Sequence, residues 1–150
     1  MRPVEPVPPA RSRLGPGVAV GVTEEMVHDL VHAFYGVVRT DPALGPIFHR
    51  AIGDDWDAHL AKMCDFWSSV LLMTGRFKGS PMAAHAAIPE IRPTHFARWL
   101  HLFHQAAERH CPPQAAALFV AKSEMIAQSL QLGIAVSRGE LPRQAGGAAN

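Results

Sequence analysis

The sequence predicts an all-α protein, on three observations. Apolar residues recur every three to four positions through most of the middle of the chain, and helix starts and stops punctuate it at short intervals. Nowhere do β-branched residues alternate over a strand's length. With 150 residues, of which 48% are hydrophobic, the chain suits one domain around one buried core and excludes wholesale disorder.

Each helix has its own local reason. Thr23 is a good N-cap, and Glu24 and Glu25 suit the positive end of the helix that follows. Met26, Val27, Leu30, Val31, Phe34, Tyr35 and Val38 make one face of it. It should end before Asp41-Pro42, because a residue preceding proline avoids helical dihedrals. A turn over residues 42–44 and a bend at Gly45-Pro46 lead to Ile47 and Phe48. Asp54 or Asp55 caps a second long helix, whose stripe is Trp56, Leu60, Met63, Cys64, Trp67, Val70, Leu71 and Thr74, with a stop at Gly75.

Ser80-Pro81, a cap followed by proline in the first turn, opens a short helical piece over 81–87 that Pro89 closes. Pro93 and Thr94 start another helix with Phe96, Trp99, Leu100, Phe103 and Ala107 on one side, broken at Cys111-Pro112-Pro113. The last runs over about residues 113–134, with Phe119, Ile126, Leu130 and Ile134 in helical register. The reading is four main helices with short connectors. Residues 1–21 and 137–150 are rich in proline, glycine and alanine, so they are expected to be disordered tails flanking a domain at 22–136.

Composition narrows the function. A formal net charge of +1 provides no electrostatic footprint for nucleic acid or an anionic membrane. The longest stretch without charge, residues 125–137, is far shorter than the ~20 apolar residues of a membrane helix. Cys64 and Cys111 lack the paired spacing of a zinc or redox motif, and the start has no apolar run of a secretory signal. A monomer in the reducing cytoplasm, with free thiols, is expected.

Two features exceed ordinary packing needs. The inward stripes carry Phe34, Tyr35, Phe66, Trp67, Phe96, Trp99 and Phe103, an aromatic set that suits either a plain core or a flat apolar ligand with a polar centre. The 9 histidines include His28 and His32 four apart and His101 and His104 three apart, spacings that bring each pair to one helix face. No third ligand accompanies either pair, so solvated surface histidines are expected there. His85 differs, because it sits among small and apolar residues in a proline-bracketed turn. An imidazole held that way suits an axial iron ligand, with one ring nitrogen fixed by a backbone carbonyl, or a satisfied core histidine.

The order and spacing of several short runs then add a resemblance. Phe34-Tyr35, Leu44-Gly45-Pro46-Ile47-Phe48, Asp55-Trp56-Asp57-Ala58-His59, Phe66-Trp67, Lys78-Gly79-Ser80-Pro81 leading to His85, and Phe96-Ala97-Arg98-Trp99-Leu100 occur in series. Over about residues 22–134 the chain resembles the group III truncated haemoglobins of bacteria. The resemblance implies a truncated globin, a two-over-two helical sandwich around haem b (iron protoporphyrin IX). It makes His85 the proximal iron ligand, Tyr35 the distal tyrosine, Trp99 the distal tryptophan and His59 a distal-helix gate toward solvent. Phe48 would pack on the haem plane, Phe66, Trp67, Leu71 and Met82 would line the cavity, and Arg50, Arg76 and Lys78 are candidates for the propionates. The chain departs from the pattern in its long proline-rich leader and in His49-Arg50 after Phe48.

The implied ligands are small gases: O2, CO and NO. A ligand that gains negative charge on iron is stabilised by aimed donors, and Tyr35 O–H and Trp99 N–H are two of them. Slow oxygen release would follow, suited to scavenging, sensing or redox chemistry rather than transport. Nitric oxide dioxygenase or peroxidase-like turnover would need electrons from a separate reductase, since the chain has no flavin or nicotinamide fingerprint. The alternative from another class is a non-haem histidine-rich helical module, in which His28, His32, His101 and His104 ligate a metal or serve an interaction.

Overall fold

A computed structural model of the chain describes residues 15–139; residues 1–14 and 140–150, the greater part of both expected tails, lie outside the described residues. A 3-10 turn (Val18–Val20) precedes six helices: α1 (Glu24–Thr40), α2 (Gly45–Ile52), α3 (Trp56–Leu72), α4 (Pro81–Ala86), α5 (Pro93–His110) and α6 (Pro113–Ser137). Among the described residues there is no strand.

α1 starts as its sequence predicts, with the Met26 N–H donating to Thr23 Oγ1 at 3.1 Å. It buries Val27, Leu30, Val31, Phe34, Tyr35 and Val38. Asp41 ends it in extended backbone, and its carboxylate does two jobs. One oxygen caps the Ala43 and Leu44 N–H groups at 3.1 and 3.0 Å, while the other accepts from Arg98 Nε and Nη2 at 3.0 and 2.7 Å. The turn after α1 is thereby tied to α5.

Two boundaries differ from the sequence reading. Gly45-Pro46 is the start of α2, not a bend, because proline fits the first turn of a helix, where its missing N–H is no loss. A Cβ on Gly45 would stand 2.8 Å from the Arg39 carbonyl oxygen, so glycine is what lets α2 begin against the end of α1. α3 stops at Leu72, not Gly75, with Met73 in the left-handed region at φ 56. Thr74 is outside that helix and meets Ser68 Oγ at 2.8 Å. Asp55 is the α3 N-cap by position, but its side chain makes no capping bond.

The packed body also exceeds the expected limits of 22 and 136. Within the stretch read as a leader, the Gly17 N–H donates to the Leu71 carbonyl at 2.8 Å, docking residues 15–21 on α3. At the other end α6 runs to Ser137, and Arg138 is bound to the loop after α4.

α1 packs on α3 and α5 packs on α6; α1 also crosses α5, which stacks the two pairs into a two-over-two sandwich. α2 leans on α1 and α4 on α6. Phe34, Phe103 and Phe119 are fully buried at the centre, each contributing about 1.5–3 kcal/mol through burial. Phe103 lies between Trp67 and Trp99, with centroids 5.2 and 5.1 Å away and planes tilted by only 11° and 4°. A second, smaller apolar cluster of Ile91, Phe96, Ala127, Leu130 and Ile134 lies beneath α4. Among the described residues no helix is long and apolar enough to cross a membrane.

Candidate functional site

All six helices meet around one cavity of about 380 Å³, within the ~300–1,000 Å³ range of small-molecule and cofactor sites. Tyr35 of α1, Phe48 of α2 and His59, Phe66 and Trp67 of α3 line it. So do Lys78 of the following loop, His85 of α4 and Trp99 of α5. Eight residues expected at the site from the sequence are thus brought together.

Four expected residues stand elsewhere. Leu71 is fully buried on the α3 face that turns toward the Gly17 segment. Met82 points from α4 onto Gly133 of α6 and joins the smaller apolar cluster. Arg76 pairs with Glu24 at 2.9 Å, and Arg50 with Glu90 at 2.7 Å, so neither guanidinium lines the cavity. The resemblance implied Leu71 and Met82 as lining; the periodicity of α3 marks Leu71 as buried but not the neighbour that covers it.

His85 is held by its own short helix. Its Nδ1 lies 2.7 Å from the Pro81 carbonyl oxygen, four residues earlier. A carbonyl only accepts, so Nδ1 carries the proton and the neutral ring keeps its lone pair on Nε2. That tautomer is the one a metal needs, with the second nitrogen fixed by the backbone. Phe96 stands beside the ring, with centroids 6.1 Å apart.

Tyr35, Phe48, Trp56 and His59 form an aromatic group joined to the central stack through Phe34, with Tyr35 and His59 edge to face at 5.0 Å. Tyr35 is 4% exposed. Burial pushes its pKa above the ordinary tyrosine value, and a side-chain hydrogen bond with Trp99 works the other way. The phenol therefore stays protonated and able to donate. Burial first, then the positive fields of Lys62 and His85, lower His59 to about 4, so the ring is neutral near pH 7. Its Nε2 is buried and meets no hydrogen-bond partner among the described residues. A buried nitrogen left over on a cavity wall is open to a water or a bound group there. Trp56 Nε1 is also orphaned, with the Arg39 guanidinium 4.6 Å from its ring, but Trp56 does not line the cavity.

Sequence reasoning missed two polar lining residues. Lys62 is one turn past His59, a three-residue spacing that already placed it on the same face. His95 is the third residue of α5, and its Nδ1 accepts the Arg92 N–H at 2.9 Å to cap that helix. Pro93 in the first turn was the available signal. Because His95 Nδ1 is spent as an acceptor, its neutral ring carries the proton on Nε2, the reverse of His85.

The histidine pairs that could serve a non-haem centre are on the surface. His28 and His32 are exposed and stacked at 4.0 Å, and His32 Nδ1 is bound to the His28 carbonyl at 2.9 Å. His101 is exposed, and His104 pairs with Glu108 at 2.9 Å. Among the described residues no three metal-ligating side chains converge. Cys64 and Cys111 are free, and burial raises both thiols, Cys111 to about 11.

The donor set therefore fits haem: an apolar cavity, an imidazole whose Nδ1 is held by a backbone carbonyl so that Nε2 is left free, and neutral donors on other helices. Comparison with known proteins agrees. The profile of the bacterial-like globin family matches residues 19–128. The chain is 33% identical over 113 residues to a group 3 truncated hemoglobin of Campylobacter jejuni, covering 73% of this chain and 89% of that protein. The crystal structure of the group III truncated hemoglobin from Campylobacter jejuni superposes with a TM-score of 0.72 at 32% identity, covering 75% of this chain and 91% of the other. With its two-over-two helices, its cavity and its fixed imidazole, the chain belongs to the bacterial-like globins, as a haem-binding truncated haemoglobin of group III.

Proposed function

We propose that this protein holds haem b through His85 and binds O2, CO or NO under the donors Tyr35 and Trp99, releasing oxygen slowly. The observation that carries the reading is the 2.7 Å contact between His85 Nδ1 and the Pro81 carbonyl inside the cavity, which leaves Nε2 as a free ligand atom. Haem, when bound, supplies an iron centre with one open position for a diatomic gas.

The chain's residues set what happens around that position. Tyr35 and Trp99 present an O–H and an N–H from a dry, mostly apolar wall. A well-aligned hydrogen bond there contributes about 1–3 kcal/mol, which slows ligand release roughly tenfold to a hundredfold. A slow releaser serves scavenging, sensing or redox chemistry better than transport, and turnover would draw electrons from a separate reductase. Neutral His59 acts as a gate toward solvent. Lys62, Lys78 and His95 replace Arg50 and Arg76 as partners for the propionates, since the two arginines are already paired with Glu90 and Glu24. We further read the protein as a cytoplasmic monomer.

Absorption spectra of the ferric, ferrous and CO-bound forms test this at once, because they report cofactor, coordination number and ligand type. A Soret band with a histidine-ligated ferrous spectrum is expected, and a protein that stays colourless after incubation with hemin refutes the reading. His85→Ala should abolish stable haem retention, measured as transfer of haem to an acceptor globin. Normal retention in that variant would remove His85 as the ligand.

A further inference from the structure

The element that carries His85 is the one least able to stand by itself. α4 has six residues and buries none of them. A helix this short does not persist on its own hydrogen bonds, so its position comes from what grips it. The grip comes from the last turns of α6, a segment whose composition reads as the beginning of a tail.

Arg138, the residue that closes α6, donates through Nη1 to the Ile91 carbonyl at 2.8 Å. Through Nη2 it donates to the Ile88 carbonyl at 2.8 Å and reaches the Pro89 carbonyl at 3.5 Å. One guanidinium thus spans the whole turn, residues 88–91, by which the chain leaves α4. Arg92 closes the same turn from within, donating to the Pro89 and Ile91 carbonyls at 2.8 and 3.0 Å. A little over one turn before Arg138, Gly133 provides a socket for Met82: a Cβ there would stand 2.1 Å from the Met82 methyl carbon. α6 therefore holds α4 from below by fit and holds its exit by charge-assisted hydrogen bonds.

We propose that Arg138 is a positioning residue for the iron ligand: by tying the 88–91 carbonyls to the end of α6, it sets where α4 holds His85 Nε2 in the cavity. The inference rests on the reading of His85 as that ligand. Arginine suits the task because its planar fork reaches two separate carbonyls at once, whereas a lysine ammonium on a flexible stem acts as a single point charge.

Arg138→Ala and Arg138→Lys, made in the full chain and loaded with hemin, test it by three readouts. Amide exchange at residues 83–91 should accelerate roughly tenfold or more in Arg138→Ala, while amides of α1 keep their wild-type rates. Haem loss should accelerate several-fold, and the iron–histidine stretching band of the ferrous, ligand-free protein should shift or broaden. Arg138→Lys should recover only part of each effect. Unchanged exchange at 83–91 overturns the clamp, and so does an equal rise throughout α1 and α5, which would make Arg138 a general stabiliser. Faster local exchange with haem loss and the stretching band unmoved overturns the positioning role. Haem retention by His85→Ala instead removes the reading beneath it, so the two failures are told apart.

Discussion

The two walls that carry the cavity's imidazoles are built on opposite principles. The wall of α1, α3 and α5 is part of the main core: Phe34 and Phe103 are 1% exposed, Tyr35 is 4%, and their rings pack edge to face, tilted or stacked on neighbours. The α4 wall buries no residue of its own and is placed by backbone carbonyls, Arg138 and the Met82–Gly133 contact. Hydrophobic burial is strong but undirected, so it makes a rigid floor for donors. Hydrogen bonds to carbonyls are weaker and directional, so they set the aim of a ring. On the proposed function, the donors call for dryness and the iron ligand for orientation, which is what each wall supplies.

Large-to-small substitutions should break or sharpen this contrast most visibly. Phe34→Ala should destabilise the protein by about 3–5 kcal/mol, as for other fully buried aromatics. Met82→Ala, at a half-buried site, should cost clearly less by urea denaturation. Equal losses would show that the walls do not differ in kind.

Asp41→Ala removes the tie between the α1 end and α5, leaving two N–H groups uncapped, and should cost about 2–3 kcal/mol. The Arg98 hydrogen bonds hold the Asp41 carboxyl below its ordinary value of 3.8. The stability it contributes is therefore present above that value and lost as pH falls through the lower, folded pKa. Acid titration of wild type and variant should converge at the acid end.

Tyr35→Phe and Trp99→Phe should each speed oxygen dissociation roughly tenfold to a hundredfold in stopped-flow release, with little change in global stability. No change in either variant would remove the donor wall's function while leaving its packing intact. The smallest expected effect is a slope. His59 is lowered from 6.5 to about 4, so between those values the unfolded chain takes up the proton first. Stability of the haem-free protein should fall as pH drops through that window and level off below it, and His59→Leu should flatten that part of the curve.

Much of the fold was legible because its signals are local. Thr23, Ser80 and Pro93 mark helix starts that the structure keeps. α2 was not legible, since Gly45-Pro46 is equally a bend and a helix start, and only the approach of the Arg39 carbonyl decides. Met73 ending α3 had no signal at all, because a left-handed methionine is chosen by its surroundings rather than its chemistry. For the site, the family resemblance named most of the lining, while Arg76 and Arg50 were read by charge alone. Their carboxylate partners come from distant sequence, which no spacing rule reveals. Lys62 and His95 were within reach of spacing and capping rules, but neither rule distinguishes a cavity from water.

The opposite protonation of His85 and His95 has a consequence for assembly. Two turns of backbone, one offering an oxygen and the other an N–H, assign each imidazole its proton in the newly folded polypeptide. On the proposed reading His85 offers its Nε2 lone pair with no bond lost, whereas His95 could offer Nε2 only if its Nδ1 gave up the Arg92 N–H that caps α5.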